Sequence, residues 1–223
     1  MIIYFVRHAS AGQKKLSPKK DEKRSLDNEG VHQSTQVGRI LSSLETNVDA
    51  VISSPLKRAT QTAALVANEI GYDGKLYLEN ALRPEAKYDH FRDMLRKYSK
   101  AEALMVVGHN PNFSEFLGRI VAENGGRAHI DMKKGAVAKI ETGQKRYVLH
   151  WMLTPRLAKA AADASVSQSS GPASGSSQNG AGLKLLMPAE SGSGKKKDKK
   201  SKKKKQPQAE ALTIKSRPKT SRK

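Results

Sequence analysis

Cysteine is absent from the 223 residues, which excludes a disulfide framework and a thiol nucleophile. Long apolar runs are missing too, since no stretch approaches the roughly 20 apolar residues that a membrane-spanning helix needs. The apolar N-terminal run Met1–Arg7 is too short for a signal peptide and has no basic region before it. These absences are compatible with a cytoplasmic location, which is the expectation. Acidic residues are scarce: 41 Lys and Arg face 21 Asp and Glu, a formal charge of +20.

That charge is unevenly placed. Residues 1–155 hold 24 Lys and Arg against 17 Asp and Glu, whereas residues 156–223 hold 17 against 4. The first part is modestly basic, which suits an anionic substrate. Residues 156–194 read as an Ala/Ser/Gly-rich linker, with a short helical extension over Leu157–Ala164. Residues 195–223 read as a Lys-rich disordered tail. The cluster Lys195–Lys205 has no interleaved aromatic residue to stack on bases. It suits weak, sequence-independent binding of nucleic acid or another polyanion, or else it is a solvated tail.

Within residues 1–155 the pattern alternates. Ile2–Val6 reads as a buried strand. Gln13–Arg24, rich in lysine, reads as an exposed loop. Asp27 is positioned to cap a helix running to Leu44, with Val31, Thr35, Val37, Ile40, Leu41 and Leu44 as its buried stripe. A second strand at 51–54 leads to a helix over 56–70. A short strand follows at 76–78, then a helix from Tyr88, a strand at 102–107 and a helix over 112–123. A hairpin over 135–140 and 146–153 completes the unit. The predicted fold class is α/β: a three-layer α/β/α sandwich with a mostly parallel sheet and an antiparallel hairpin, followed by the disordered basic tail.

Three of these strands end in chemistry. The first runs into Arg7-His8, the second into the helix carrying Arg58, and the third into Gly108-His109-Asn110. Ligands of open α/β sheets bind at the carboxyl ends of strands, so Arg7, His8, Arg58 and His109 are expected at one sheet edge. Guanidinium forks match phosphate oxygens in a bidentate way, and the set predicts a phosphoryl pocket. His32, His90, His129 and His150 lack such context and read as structural or surface residues. No histidine pair has the helical spacing and carboxylate of a metal site, and no cofactor is expected.

These motifs, together with Ser53-Ser54-Pro55-Leu56-Lys57-Arg58-Ala59-Thr60-Gln61-Thr62, resemble the histidine phosphatase superfamily, which is phosphoglycerate mutase-like, and most of all its compact SixA-type phosphohistidine phosphatases. The resemblance covers about residues 1–155. Ala9 departs from the glycine usual in the family, and it resists backbone conformations that glycine permits. The resemblance implies that His8 attacks phosphorus and becomes phosphohistidine, that Arg7 and Arg58 clamp the oxygens, and that His109 donates to them, best when protonated. It places Glu85 where the family often has its proton donor, with Asp89 as a second candidate. Ser10 and Asn110, beside the two histidines, are candidate substrate-binding residues.

Imidazole, with a reference pKa of about 6.5, leaves from phosphorus more readily than an alkoxide does. The 58–102 interval has no long insertion to form a lid, so an open pocket able to admit a protein side chain is expected. The sequence therefore predicts a phosphatase acting on phosphohistidine in a protein partner. The alternatives are a small-molecule phosphomonoesterase or mutase of the same superfamily, and a non-catalytic phosphate-binding module tethered by the basic tail. Oligomeric state is not predicted.

Overall fold

In the computed structural model, residues 1–122, 126–143 and 146–169 are described. They form β1 (Ile2–Arg7), α1 (Pro18–Glu22), α2 (Asn28–Ser43), β2 (Ala50–Ser53), α3 (Lys57–Glu69), β3 (Leu76–Leu78), a 3₁₀ turn (Asn80–Leu82), α4 (Tyr88–Lys97), β4 (Ala103–Gly108), α5 (Asn112–Val121), β5 (Val137–Thr142), β6 (Tyr147–Leu153) and α6 (Pro155–Ser169). The sheet runs β3-β2-β4-β1-β5-β6. Its first four strands are mutually parallel, and β5 and β6 add the antiparallel hairpin. This is the predicted α/β arrangement.

Side-chain alternation along the central strands builds two cores. Ile3, Phe5, Leu104, Val106, Ala138 and Ile140 pack with Phe91, Phe113 and Phe116 of α4 and α5. Tyr4, Val6, Met105, Val107 and Val137 pack on the other face with Val37 and Leu41 of α2, Ala63 and Val66 of α3, and Ala158 of α6. Burial on both faces explains why these strands read as continuous apolar runs.

Three local differences from the sequence reading matter. Helix α6, Pro155–Ser169, reaches farther into the expected 156–194 linker than the predicted extension over Leu157–Ala164, because its alanines favour helix and Ala158 is fully buried. The rest of that linker and the lysine tail lie outside the described residues. The expected exposed loop at 13–24 contains α1, begun by Pro18 at its first turn. The buried face of α2 is rotated: Val31 and Leu44 are 44% and 56% exposed, and Gly30, Ser34, Val37, Gly38 and Leu41 point inward. Small residues win those positions because the backbone comes close. A Cβ on Gly30 would lie 1.9 Å from the Ser10 carbonyl oxygen, and one on Gly38 would lie 2.6 Å from Glu69 Cβ.

The contact at Gly30 ties α2 to the loop after β1. Gly30→Ala must displace one of them, and an overpacking cost of about 1–3 kcal/mol is expected. Urea unfolding should show this as a lowered midpoint. His32→Ala, on the exposed side of the same helix, should stay within about 0.5 kcal/mol of the parent. Equal midpoints for the two variants would refute the close approach.

Candidate functional site

Parallel pairing of β1 with β4 sets Arg7 opposite Gly108, so the next residues of both strands, His8 and His109, emerge side by side. Their ring centroids are 4.8 Å apart, and the His8 N–H donates to the Gly108 carbonyl at 3.0 Å. Pairing of β2 with β4 sets Ser53 opposite Val107, which brings Ser54 to the same edge. Its hydroxyl lies 2.9 Å from His109 Nε2. Both imidazoles are buried.

His8 Nδ1 lies 2.8 Å from the Ala9 carbonyl oxygen. A carbonyl only accepts, so Nδ1 carries the hydrogen and Nε2 keeps its lone pair. Burial lowers the pKa of His8 to about 3, and the Arg58, Arg7 and Arg24 charges act in the same direction, outweighing the opposing bond to Ala9. His109 is lowered as well, first by burial and then by the neighbouring cations and His8. Both rings are therefore neutral without an anion, and the protonated form of His109 expected above requires one to arrive. Ala9 fits without strain, because Glu45 is the sole non-glycine residue with positive φ among those described. The Ala9 N–H donates to Thr62 Oγ1 at 3.1 Å.

The guanidinium groups of Arg7 and Arg58 complete the surround. Arg7 Nη1 donates to the Met132 carbonyl at 2.6 Å. Arg58 Nη1 donates to the Asp21 carbonyl at 2.9 Å and faces Asp21 Oδ2 at 3.2 Å. The Nε–H groups of both arginines and Nδ1 of His109 are buried without a partner. Buried donors left unpaired are costly. The arrangement can hold a tetrahedral oxyanion and present a neutral imidazole nitrogen to its central atom.

A model of the histidine phosphatase superfamily (branch 1) matches residues 3–102. An uncharacterized protein of Picosynechococcus sp. is 29% identical over 153 residues, which is 67% of this chain and 90% of that protein. Among solved structures, the protein histidine phosphatase SixA complexed with tungstate superposes with a TM-score of 0.63 at 19% identity, covering 70% of this chain and 98% of its own. Phosphoglycerate mutase of Bacillus anthracis gives 0.56 at 14% identity, with 71% and 95% covered. The alpha-ribazole phosphatase of Shigella flexneri gives 0.56 at 15% identity, with 70% and 97% covered. These likenesses establish a SixA-like fold.

Other residues singled out from the sequence stand apart from this cluster. The Ser10 hydroxyl donates to Asp27 Oδ2 at 2.8 Å, and Asn110 Nδ2 donates to the Met132 carbonyl at 3.0 Å. Their donors serve the protein itself. Glu85 is exposed and ion-paired with Arg83 at 2.6 Å. Its slight burial opposes ionisation, yet the Arg83 hydrogen bond and charge hold the carboxyl below the usual range. Asp89 is exposed on α4 and pairs with Arg92 at 3.2 Å. Among the described residues no cluster of His, Asp and Glu is arranged for a metal ion, and no helix is long and apolar enough to cross a membrane.

Asp21, Arg24, Ser54 and Thr62 were not legible as site residues. Asp21 Oδ1 accepts from the Lys15 N–H at 3.0 Å and from Arg24 Nε at 2.9 Å. Burial opposes its ionisation, but these bonds and the charges of Arg58 and Arg24 bring the carboxyl to about 2. Arg24 also donates to the Ala11 carbonyl at 2.8 Å, and its charge acts on both histidines. The one available signal was an aspartate three residues before an arginine in an otherwise lysine-rich stretch.

The lowered histidine pKa values carry a stability consequence. Unfolded imidazoles take up protons near pH 6.5, whereas the folded ones do so only far lower. The unfolded state therefore binds more protons through this window, and stability falls as pH drops from about 6.5 towards 4. The lowered Asp21 carboxyl adds to the loss only below about 4. Thermal midpoints between pH 7.5 and 5 should fall less in His109→Gln than in the parent. Parallel curves would show that His109 titrates normally in the fold.

Proposed function

We propose that this chain is a phosphohistidine phosphatase that hydrolyses the phosphoryl group from a histidine of a partner protein through a covalent phosphohistidine at His8. The observation that carries the reading is the His8 Nδ1 to Ala9 carbonyl bond of 2.8 Å, which leaves Nε2 unprotonated under the charges of Arg58 and Arg7. In the first step His8 Nε2 forms a bond to phosphorus as the donor imidazole's N–P bond breaks. The donor ring departs neutral when its other nitrogen carries a proton. In the second step water attacks phosphorus, phosphate leaves, and His8 regains its lone pair. Arg7, Arg58 and His109 balance the oxygen charge in both steps, which is the main requirement of phosphoryl transfer.

The leaving group follows from the acids at hand. Asp21, Asp27 and Glu85 are all held below their ordinary pKa, so none stores a proton at neutral pH for a departing alkoxide. Imidazole needs less assistance. The tungstate held by the structurally similar SixA is a tetrahedral oxyanion of the kind this set of donors suits. The rival reading, a small-molecule phosphomonoesterase or mutase, draws on the same fold in a phosphoglycerate mutase and an alpha-ribazole phosphatase. A cytoplasmic setting fits a cysteine-free enzyme with this substrate.

Brief reaction with ³²P-phosphohistidine protein and acid-free quenching should give a labelled enzyme whose label maps to His8 and is absent from His8→Ala. Turnover of phosphohistidine should exceed that of an alkyl phosphate ester. Arg58→Ala should lower kcat/KM by about 10²–10³. Glu85→Gln should leave phosphohistidine turnover within about twofold, since a needed general acid would be worth about 10²–10⁴. Label on another residue, or a collapse in Glu85→Gln, would overturn the mechanism.

A further inference from the structure

We propose that the basic groove beside the loop after His8 docks acidic residues of the partner protein that flank its phosphohistidine. The proposal rests on the phosphoprotein reading above and names the surface the partner uses. The groove, about 420 Å³, is lined by Gly12, Lys15, Lys20, Lys23, Arg24 and Asp27, among others. Its charge is unbalanced in a particular way. Each acidic side chain of the surrounding segment is already engaged: Asp21 with Arg24 and Arg58, Glu22 with Arg83, Asp27 with Ser10, Gly12 and the Gly30 N–H, and Glu29 with Gln33.

Lys15, Lys20 and Lys23 are exposed, and among the described residues no ion pair involves them. The groove therefore faces outward with cations the fold does not neutralise. Gly12 is four residues from His8, so the groove begins within about 14 Å of it, at up to about 3.6 Å per residue. An extended peptide covers that distance in about four residues. Carboxylates three to five positions from the phosphohistidine meet the lysines when its phosphoryl group sits between Arg7 and Arg58. Such charge complementarity sets encounter rate and partner choice.

The test compares two phosphohistidine peptides, one with glutamates three to five positions from the phosphohistidine and one with serines there. At low salt the full-length protein should show about tenfold higher kcat/KM for the glutamate peptide. Lys20→Glu/Lys23→Glu, and the milder Lys20→Gln/Lys23→Gln, should erase that preference and leave free phosphohistidine turnover unchanged. An undiminished preference in both variants overturns the proposal. If no substrate turns over at all, the catalytic reading fails, and docking is decided by titrating ¹⁵N-labelled protein with the unphosphorylated glutamate peptide. Amide shifts at Gly12, Lys20 and Lys23 support docking. Their absence, or shifts there with an oligonucleotide alone, refutes it.

A separate geometry assigns Gln33 as the positioning residue for His8, independently of the groove. The Ser10 N–H donates to Gln33 Oε1 at 3.0 Å, and Gln33 Nε2 donates to Glu29 Oε1 at 2.9 Å, which orients the amide. Ser10 N and the Ala9 carbonyl belong to one planar peptide unit, whose N–H and C=O point in opposite directions. Holding the N–H therefore aims the carbonyl at His8 Nδ1, and Gln33 sets which ring nitrogen is free. Gln33→Leu should raise the Nε2–H tautomer of His8 in ¹⁵N-histidine NMR spectra. It should also lower kcat by about 10–100-fold at unchanged KM. Gln33→Glu combined with Glu29→Gln, which keeps the acceptor and gives it a donor partner, should restore both. An unaltered tautomer and kcat in Gln33→Leu would refute the assignment.

Discussion

The site depends on the register between β1 and β4. Arg7 lies opposite Gly108, and this pairing alone makes neighbours of two histidines 101 positions apart in the chain. The register is fixed remotely by packing. Phe5 and Val106 face α4 and α5, while Val6 and Val107 face α2 and α3, and a one-residue slip would turn every side chain to the opposite face. The cost of that slip is borne by the apolar cores, so the hydrophobic effect holds the two imidazoles at their spacing.

Electrostatics then set the state of the site. Three arginines act on two imidazoles, and the carboxylate at hand is taken up: Asp21 faces Arg58 and bonds Arg24. Among the described residues, Arg7 has only a backbone carbonyl as its side-chain hydrogen-bond partner. A partly buried cation without a carboxylate partner is costly, so the site favours an anion. On the proposed reading, a dianionic phosphoryl group would supply countercharge, and its arrival would favour protonation of His109 while His8 keeps its lone pair towards phosphorus.

Arg7, His8, Arg58 and His109 were legible because each directly follows or closely trails an apolar strand, and strand ends in an α/β fold converge by topology. Asp27 was legible as a cap, and it does cap α2 by accepting from the Gly30 N–H. Its second role, holding Ser10 and Gly12, was not. Asp21 and Arg24 stayed hidden because their stretch is dominated by exposed lysines, and composition averages over the two residues that turn inward. The face of α2 was misjudged for a related reason: periodicity weights large apolar residues, whereas close backbone approach selects glycine and serine. Glu85 shows the limit of position as a guide, since the adjacent Arg83 decides its charge.

The acids and the pocket together bear on selectivity. Held as ions, Asp21, Asp27 and Glu85 offer no proton to the leaving group, so the chemistry favours any phosphoryl donor that departs readily. Arg7, Arg58 and His109 are suited to the oxygens of the transferred group, which are the same in every such donor. Neither feature distinguishes one partner from another. Discrimination must then arise outside the phosphoryl pocket, where flanking residues of a substrate rest. Beside the loop that follows His8, the exposed surface carries Lys15, Lys20 and Lys23 without an ion-pair partner among the described residues. On the proposed reading, the phosphoryl pocket determines what is transferred, and the surrounding charge determines from which partner.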